Sequence, residues 1–157
     1  MASTTYLTRV IYKTHGTALT GTYNLLLAAK SVPAPVEAPN TVESTTFEDD
    51  TQTFEMGVKQ SGSKEITGNL SKNDLDAING LSGTNLDIMF LYGTDGVGGV
   101  AKYLFQGAVT ATPSDAGGVD EILEMTATVV PSTVPELVTD DYTIVDNGDG
   151  TFTVTEA

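Results

Sequence analysis

Two apolar runs joined by a glycine-rich turn decide the fold. They occupy residues 85–111, with the sequence NLDIMFLYGTDGVGGVAKYLFQGAVTA. Large apolar side chains recur at every second position over 86–92, and the second run repeats this period over 100–111. A period of two is typical of an antiparallel β-strand with one face buried and one face in water. The glycines between the runs favour a turn. We therefore expect two long strands, with Asp87 on the more polar face of the first.

The same alternation extends through most apolar segments of the chain. It appears in residues 6–13, 52–58 and 121–130. The composition agrees, because 25 of the 157 residues are threonine and β-branched side chains fit the pleated surface of a sheet. The sequence therefore predicts a mainly β protein built from half-buried antiparallel strands.

One segment breaks this pattern and predicts a helix over residues 71–81. Ser71 suits an N-cap position, and Asp74 three residues later approximates a capping box at the positive end of the helix dipole. Leu75 and Ile78 form one apolar stripe. Because a helix of two to three turns is not stable in isolation, we expect it to lie across a sheet.

The chain has the length of one ordinary domain, and its C-terminal part has the pattern of an added hairpin. Residues 1–135 are predicted to form the main β domain, and residues 136–157 a C-terminal β-hairpin extension. Alternating residues flank an NGDG turn at 147–150, which is a strong hairpin signal. An isolated hairpin is marginally stable in water, so this one packs on the main domain, pairs with another copy or stays mobile.

Three prolines, Pro33, Pro35 and Pro39, fall within residues 31–40. Prolines at this density prevent regular strand pairing and favour an extended, stiff arm. Two interpretations remain open at this point: a disordered loop, or an arm that reaches a neighbouring copy.

Charge is distributed unevenly along the chain. The sequence has 21 acidic and 7 basic residues, for a net charge of −14; residues 1–36 carry +3, and residues 103–157 carry ten acids and no base. This acidity argues against a nucleic-acid binder held by phosphate contacts and against docking on an anionic membrane. It serves either to keep the protein dispersed or to let acidic and basic faces meet between copies.

The chain offers little catalytic or metal-binding chemistry. Cysteine is absent and His15 is the single histidine, which excludes thiol nucleophiles and two-histidine sites. The sequence has no nucleophile elbow, no P-loop and no H-E-x-x-H motif. The adjacent acids at 48–50 would point to opposite faces of a strand end, which does not suit a glycosidase carboxylate pair. We therefore predict no enzyme activity, no cofactor and no metal.

The segment 43–70, ESTTFEDDTQTFEMGVKQSGSKEITGNL, resembles the phage major tail protein family, the tail tube subunits of long-tailed, non-contractile phages. The resemblance is carried by an acidic turn after Thr46, a strand at 53–56, a Gly-x-Lys connector at 57–59 and a strand at 65–70, and it covers residues 1–135. It implies an antiparallel sandwich-like or barrel-like tail tube fold with one short flanking helix. It also implies self-assembly into hexameric rings that stack into a hollow tube.

The resemblance further implies partners and a location. The partners are other copies of this chain and other tail proteins such as the tape measure, the initiator and the terminator. DNA passes through the lumen without specific binding, because carboxylates along a wall repel its phosphates. No membrane partner is expected. The protein would be made in the host cytoplasm and reside in the virion, as part of the phage tail.

Ten residues are candidate assembly positions under this interpretation. Acids between residues 85 and 130 are candidates for the lumen or the ring interface, and polar loops are candidates for contacts between stacked rings. The lumen or ring-interface candidates are Asp87, Asp120, Glu121 and Glu124. The ring-stacking candidates are Pro33, Pro35, Pro39, Glu48, Asp49 and Asp50.

Two other classes of protein share parts of this pattern. An Ig-like or carbohydrate-binding adhesion module is also rich in threonine, but the absence of tryptophan and of a signal peptide argues against it. A tube protein of the contractile-tail or secretion-system type would share the fold, and a sheath-contact surface would distinguish it.

Overall fold

A computed structural model describes residues 7–16, 18–35, 41–57, 62–115, 117–138 and 142–156. Strands account for 49% of the described residues and helix for 7%, which confirms the mainly β class. The single described helix is α1 (Lys72–Gly80). The strands are β1 (Arg9–Thr14), β2 (Gly21–Leu25), β3 (Ala29–Ser31), β4 (Thr41–Glu43), β5 (Phe54–Met56), β6 (Lys64–Asn69), β7 (Leu86–Tyr92), β8 (Ala101–Pro113), β9 (Glu124–Pro131), β10 (Glu136–Leu137), β11 (Tyr142–Asp146) and β12 (Thr151–Glu156).

Ten of these strands form one antiparallel sheet. Its order is β11-β12-β2-β1-β7-β8-β9-β6-β3, with β10 paired to β8. The sheet curls strongly into a half-barrel, in agreement with the expected sandwich-like or barrel-like fold. The curl brings Leu104 of β8 and Tyr142 of β11 against the same apolar cluster, although four strands separate them in the sheet. The inside of the curl is therefore a packed core.

Strand β7 lies in the middle of the sheet and is buried on both faces. Ile88 and Phe90 pack into the larger apolar cluster, together with Ile78 of the helix. Met89 and Leu91 point the other way and pack into a second cluster. The expectation of one face in water was therefore wrong for this strand, because the sheet curls around its second face.

Strand β8 is shared by two parts of the sheet. Its first half pairs with β7 and its second half pairs with β9, and the change of partner falls at Gly107. A Cβ atom at Gly107 would lie 2.6 Å from the carbonyl oxygen of Val130. The missing side chain therefore lets the β8 and β9 backbones approach closely at this corner.

The helix forms where the sequence predicted it. The Ser71 hydroxyl accepts a hydrogen bond from the backbone N–H of Asp74, as an N-cap should. Ile78 is fully buried against the sheet. The neighbouring Asn79 accepts a hydrogen bond from the Ala111 N–H at 3.1 Å, which fixes the helix on β8.

The predicted C-terminal hairpin also forms, as β11 and β12, and it continues the main sheet. Strand β12 pairs with β2, and its residues Phe152 and Val154 are buried in the second cluster. Arg9 of β1 holds the hairpin turn through an ion pair with Asp146 at 2.8 Å. The Arg9 guanidinium also lies over the Phe152 ring, 5.4 Å from its centroid. Of the three states left open by the sequence, the structure has the hairpin packed on the main domain.

Part of the proline-rich segment packs on its own domain. Strand β3 extends to residue 31 and pairs with β6. Pro33 then accepts a hydrogen bond from the Tyr92 hydroxyl at 3.4 Å. Residues 32–35 therefore lie along the sheet and do not form a free arm, whereas residues 36–40, including Pro39, fall outside the described residues.

Candidate assembly surface

The β4–β5 arm, residues 41–57, is a two-stranded ribbon separate from the main sheet. Its strands pair in antiparallel register, with Val42 opposite Glu55. Beyond the strands, the Ser44 N–H donates to the Thr53 carbonyl at 2.9 Å. Every residue of both strands is exposed. The ribbon therefore presents both of its faces to solvent.

The tip of the arm is the acidic turn that the sequence predicted. The Asp49 carboxylate accepts hydrogen bonds from the Thr46 backbone N–H at 2.7 Å and from the Thr46 hydroxyl at 3.2 Å. The acids Glu48, Asp49 and Asp50 are all exposed, and Phe47 beside them is fully exposed. The turn therefore places concentrated negative charge next to a large apolar side chain.

Exposed apolar side chains are concentrated on this arm. Val42, Phe47, Phe54 and Met56 are each more than half exposed, and Phe54 and Met56 share one face of their strand. The half-buried strand predicted over 52–58 is thus a short strand in water. A two-stranded hairpin is marginally stable alone, and exposed apolar patches mark interaction sites. The arm has the properties of a docking element.

An apolar groove lies on the main domain, between the segment 32–35 and residues at the adjoining ends of β7 and β8. It has a volume of about 480 Å³ and is lined by residues 32–35 and by Tyr92, Val100, Ala101 and Tyr103. We call it the tyrosine–proline groove. Pro33 and Pro35, predicted to act in ring stacking, lie in its wall.

The two tyrosines of the groove pack edge to face, with ring centroids 6.3 Å apart. Burial, and to a lesser extent the neighbouring Tyr103, raises the pKa of Tyr92 to about 12. The Tyr92 hydroxyl therefore stays neutral and donates to the Pro33 carbonyl at any physiological pH. The groove wall is thus uncharged and held in place by the chain itself.

A lysine stands beside the groove. Lys30 lines an adjoining cleft that shares Val32 and Tyr92 with the groove. Its Nζ lies 3.7 Å from Glu124 Oε1, and both side chains are about 40% exposed. A pair this long and this exposed is weak, so Lys30 can exchange partners at low cost.

Asp87 does not lie where the sequence placed it. Its side chain has no exposed surface, so it cannot face a lumen or a neighbouring subunit in this fold. Asp87 Oδ1 lies 2.8 Å from His15 Nδ1, and Oδ2 lies 3.4 Å from Lys13 Nζ. Alternation put Asp87 on the more polar face, but that face closes over it when the sheet curls. Its role is internal, as the counter-ion of Lys13.

The other three lumen or ring-interface candidates lie at the β8–β9 connection. Asp120 and Glu121 are exposed in the loop, and Glu124 begins β9. The alternating strand predicted over 121–130 therefore starts three residues later. Exposed Ile122 and Leu123 stand between these acids. This loop is a second surface that is both acidic and apolar, and which of its acids face a lumen stays a prediction.

The sequence analysis missed the tyrosine–proline groove. The alternation of apolar residues assigned Tyr92, Val100 and Tyr103 to strands. This alternation does not distinguish residues that line a surface groove from residues that are buried in the core. One available signal was the aromatic content at the strand ends next to the glycine-rich turn, because Tyr favours positions where one end of the ring is wet.

Within the described ranges, no group of three or more His, Asp or Glu side chains is placed to hold a metal ion. No helix among the described residues is long and apolar enough to cross a membrane. In comparisons with known proteins, no family model matches the chain and no curated protein matches it.

Proposed function

We propose that this protein is a structural subunit of a phage tail, which self-assembles into stacked hexameric rings and forms the wall of a tail tube. The sequence resemblance over 43–70 suggests this function. The curled, wholly antiparallel sheet with one flanking helix is compatible with it. The partners would be other copies of the chain and the tape measure, initiator and terminator proteins of the tail.

The β4–β5 arm is the observation that carries the proposal. It forms no continuation of the main sheet, and its apolar residues Phe47, Phe54 and Met56 are exposed. A subunit that acted alone would gain nothing from such a ribbon and would risk aggregation. In an assembly, the same ribbon buries its apolar face against another subunit.

The charge supports a role as a conduit for DNA. Exposed acids stand on the arm tip, on the β8–β9 loop and in the turn of the C-terminal hairpin. Hexameric rings built from subunits of charge −14 carry strong negative potential. A negative wall repels the phosphates of a passing duplex, so the genome slides without adhering.

Electron microscopy and sedimentation of the purified full chain test this proposal. We expect rings with six-fold symmetry, or hollow tubes, at high protein concentration. The matched variant replaces Phe47, Phe54 and Met56 with serine. It should keep the circular dichroism spectrum of the native sheet and remain monomeric.

Two results would count against the proposal. Wild-type protein that sediments as a monomer at every concentration, even when purified tail-initiation complexes are added, would remove the assembly function. Tubes that form equally well from the serine variant would show that the arm does not carry assembly.

A further inference from the structure

We infer that the β4–β5 arm of one copy docks in the tyrosine–proline groove of the next copy. This inference rests on the proposed function, and it names the surface that receives the arm. The arm supplies Phe47, Phe54 and Met56, and the groove supplies Pro33, Tyr92, Val100 and Tyr103.

The two surfaces match in chemistry. The groove is bordered by two tyrosine rings and by Pro33 and Pro35, and Val100 at its rim is 64% exposed. Aromatic and methionine side chains bind such surfaces well, through edge-to-face ring contacts and sulfur–aromatic contacts. Each buried aromatic side chain removes about 150–250 Å² from water. The exposed apolar side chains of the arm are therefore of a kind that the groove can bury.

The charges beside the two surfaces are complementary. The arm tip places Glu48 and Asp50 next to Phe47, all of them exposed. Lys30 stands at the cleft that adjoins the groove, in a long ion pair with Glu124. Docking of Phe47 near Tyr92 brings the acids of the arm towards Lys30, which orients the ribbon in the groove.

The occupant is the arm of a second copy and not the arm of the same chain. In the structure, Phe47 at the tip and Val100 at the groove rim are both exposed, so the chain does not fill its own groove. Five residues, 36–40, separate the groove wall from the first strand of the arm. The ribbon would have to double back over this short connection for its tip to reach its own groove.

The contact has the symmetry that a tube needs. The arm and the groove are different surfaces, so each copy can give one arm and receive another. Such a heterologous contact generates rings or open helical arrays, whereas a self-complementary patch stops at a dimer. Arm-in-groove docking can therefore repeat from copy to copy without limit.

The chain has no cysteine, which makes disulfide trapping a clean test. Phe47→Cys protein carrying a mass tag is mixed with untagged Val100→Cys protein, oxidised, and run on a non-reducing gel. We expect a tagged–untagged heterodimer as the main product. The matched control is Val145→Cys on β11, which is 52% exposed and lies on the hairpin strand at the far end of the sheet. It should give at most about a tenth as much heterodimer.

The same experiment separates this inference from the proposed function. Suppose that the wild-type protein forms tubes, but Phe47→Cys forms no disulfide with Val100→Cys, or forms as much with Val145→Cys. This result would overturn the arm-in-groove contact and leave the tube function standing. A Phe47→Cys/Val100→Cys double variant that forms its disulfide within one chain would also overturn the contact between copies. A wild-type chain that never assembles would contradict both the proposed tube function and the arm-in-groove contact.

Charge-reversal substitutions test the orientation of the arm in the same trapping assay. Lys30→Glu should lower the trapping yield about two- to fivefold, the range expected of an exposed ion pair. Adding Glu48→Lys to the partner protein should restore it. A yield that does not change with either substitution would contradict the proposed orientation of the arm.

Discussion

Strand β7 and the β4–β5 arm use the same apolar residue types and place them in opposite environments. Phe90 and Met89 of β7 are fully buried, one on each face of the sheet. Phe47 and Met56 of the arm are exposed. The first pair stabilises the monomer, and the second pair can be stabilising only against another molecule. The difference shows that apolar content alone does not locate the core.

The largest effect that this comparison predicts is a difference in the free energy of unfolding between two phenylalanine variants. Phe90→Ala should lower the free energy of unfolding by about 3–5 kcal/mol, because it removes a buried ring and leaves a cavity. Phe47→Ala should change it by less than about 0.5 kcal/mol, because the ring contacts mainly water. Urea denaturation followed by circular dichroism measures both. Equal losses would mean that the arm folds back on the domain in solution.

A buried and an exposed acid should show a smaller difference in their contribution to the free energy of unfolding. Asp87→Asn should lower the free energy of unfolding by about 3 kcal/mol, because the partly buried Lys13 loses its counter-charge. Glu48→Gln on the arm tip should change it by less than about 0.5 kcal/mol. Chemical denaturation of both variants at neutral pH tests this. An Asp87→Asn protein as stable as the wild type would show that the buried ion pair contributes nothing.

The acid dependence of stability should be the smallest effect, and it arises from carboxyl groups outside the β4–β5 arm. The Gly148 N–H and then Arg9 hold the pKa of Asp146 below its usual 3.8. The Gly99 N–H likewise lowers the pKa of Asp95. A carboxyl with a depressed pKa stabilises the fold above its unfolded value, and this contribution is lost as the pH falls through the folded value.

The variant Asp146→Asn isolates this contribution. At neutral pH it should be less stable than the wild type by less than about 1 kcal/mol, since the pair with Arg9 is partly exposed. The gap between the two proteins should close as the pH falls below 3.8, where the wild-type carboxyl also becomes neutral. Thermal melts between pH 2 and 7 measure it, and a gap that does not depend on pH would contradict the assignment.

Local pattern was enough to predict most of the regular structure. The helix followed from Ser71 and the stripe of Leu75 and Ile78, because capping and period are local properties. The C-terminal hairpin followed from its turn. Strands β2 and β3 were not predicted, since residues 21–25 and 29–31 alternate poorly and are held by pairing with β1, β12 and β6.

The candidate site was harder to predict, because burial is decided by the whole sheet. Asp87 was expected at a surface, but the curl of the sheet covers it. Phe54 and Met56 were expected on the buried side of a strand, but β5 pairs only with β4, outside the main sheet. The acidic turn that the resemblance implied does form, with Glu48, Asp49 and Asp50 exposed, and their role in ring stacking stays a prediction.

The position of the C-terminal hairpin in the sheet has a consequence for synthesis of the chain. Ile144, Phe152 and Val154 provide three of the seven buried residues of the second cluster, and Tyr23, more than 100 residues earlier in the sequence, provides a fourth. That cluster cannot close until β11 and β12 have been synthesised and have left the ribosome. Contacts so distant in sequence also make folding slow. Closure of the second cluster is therefore a late step in folding, which waits for these two distant segments to come together.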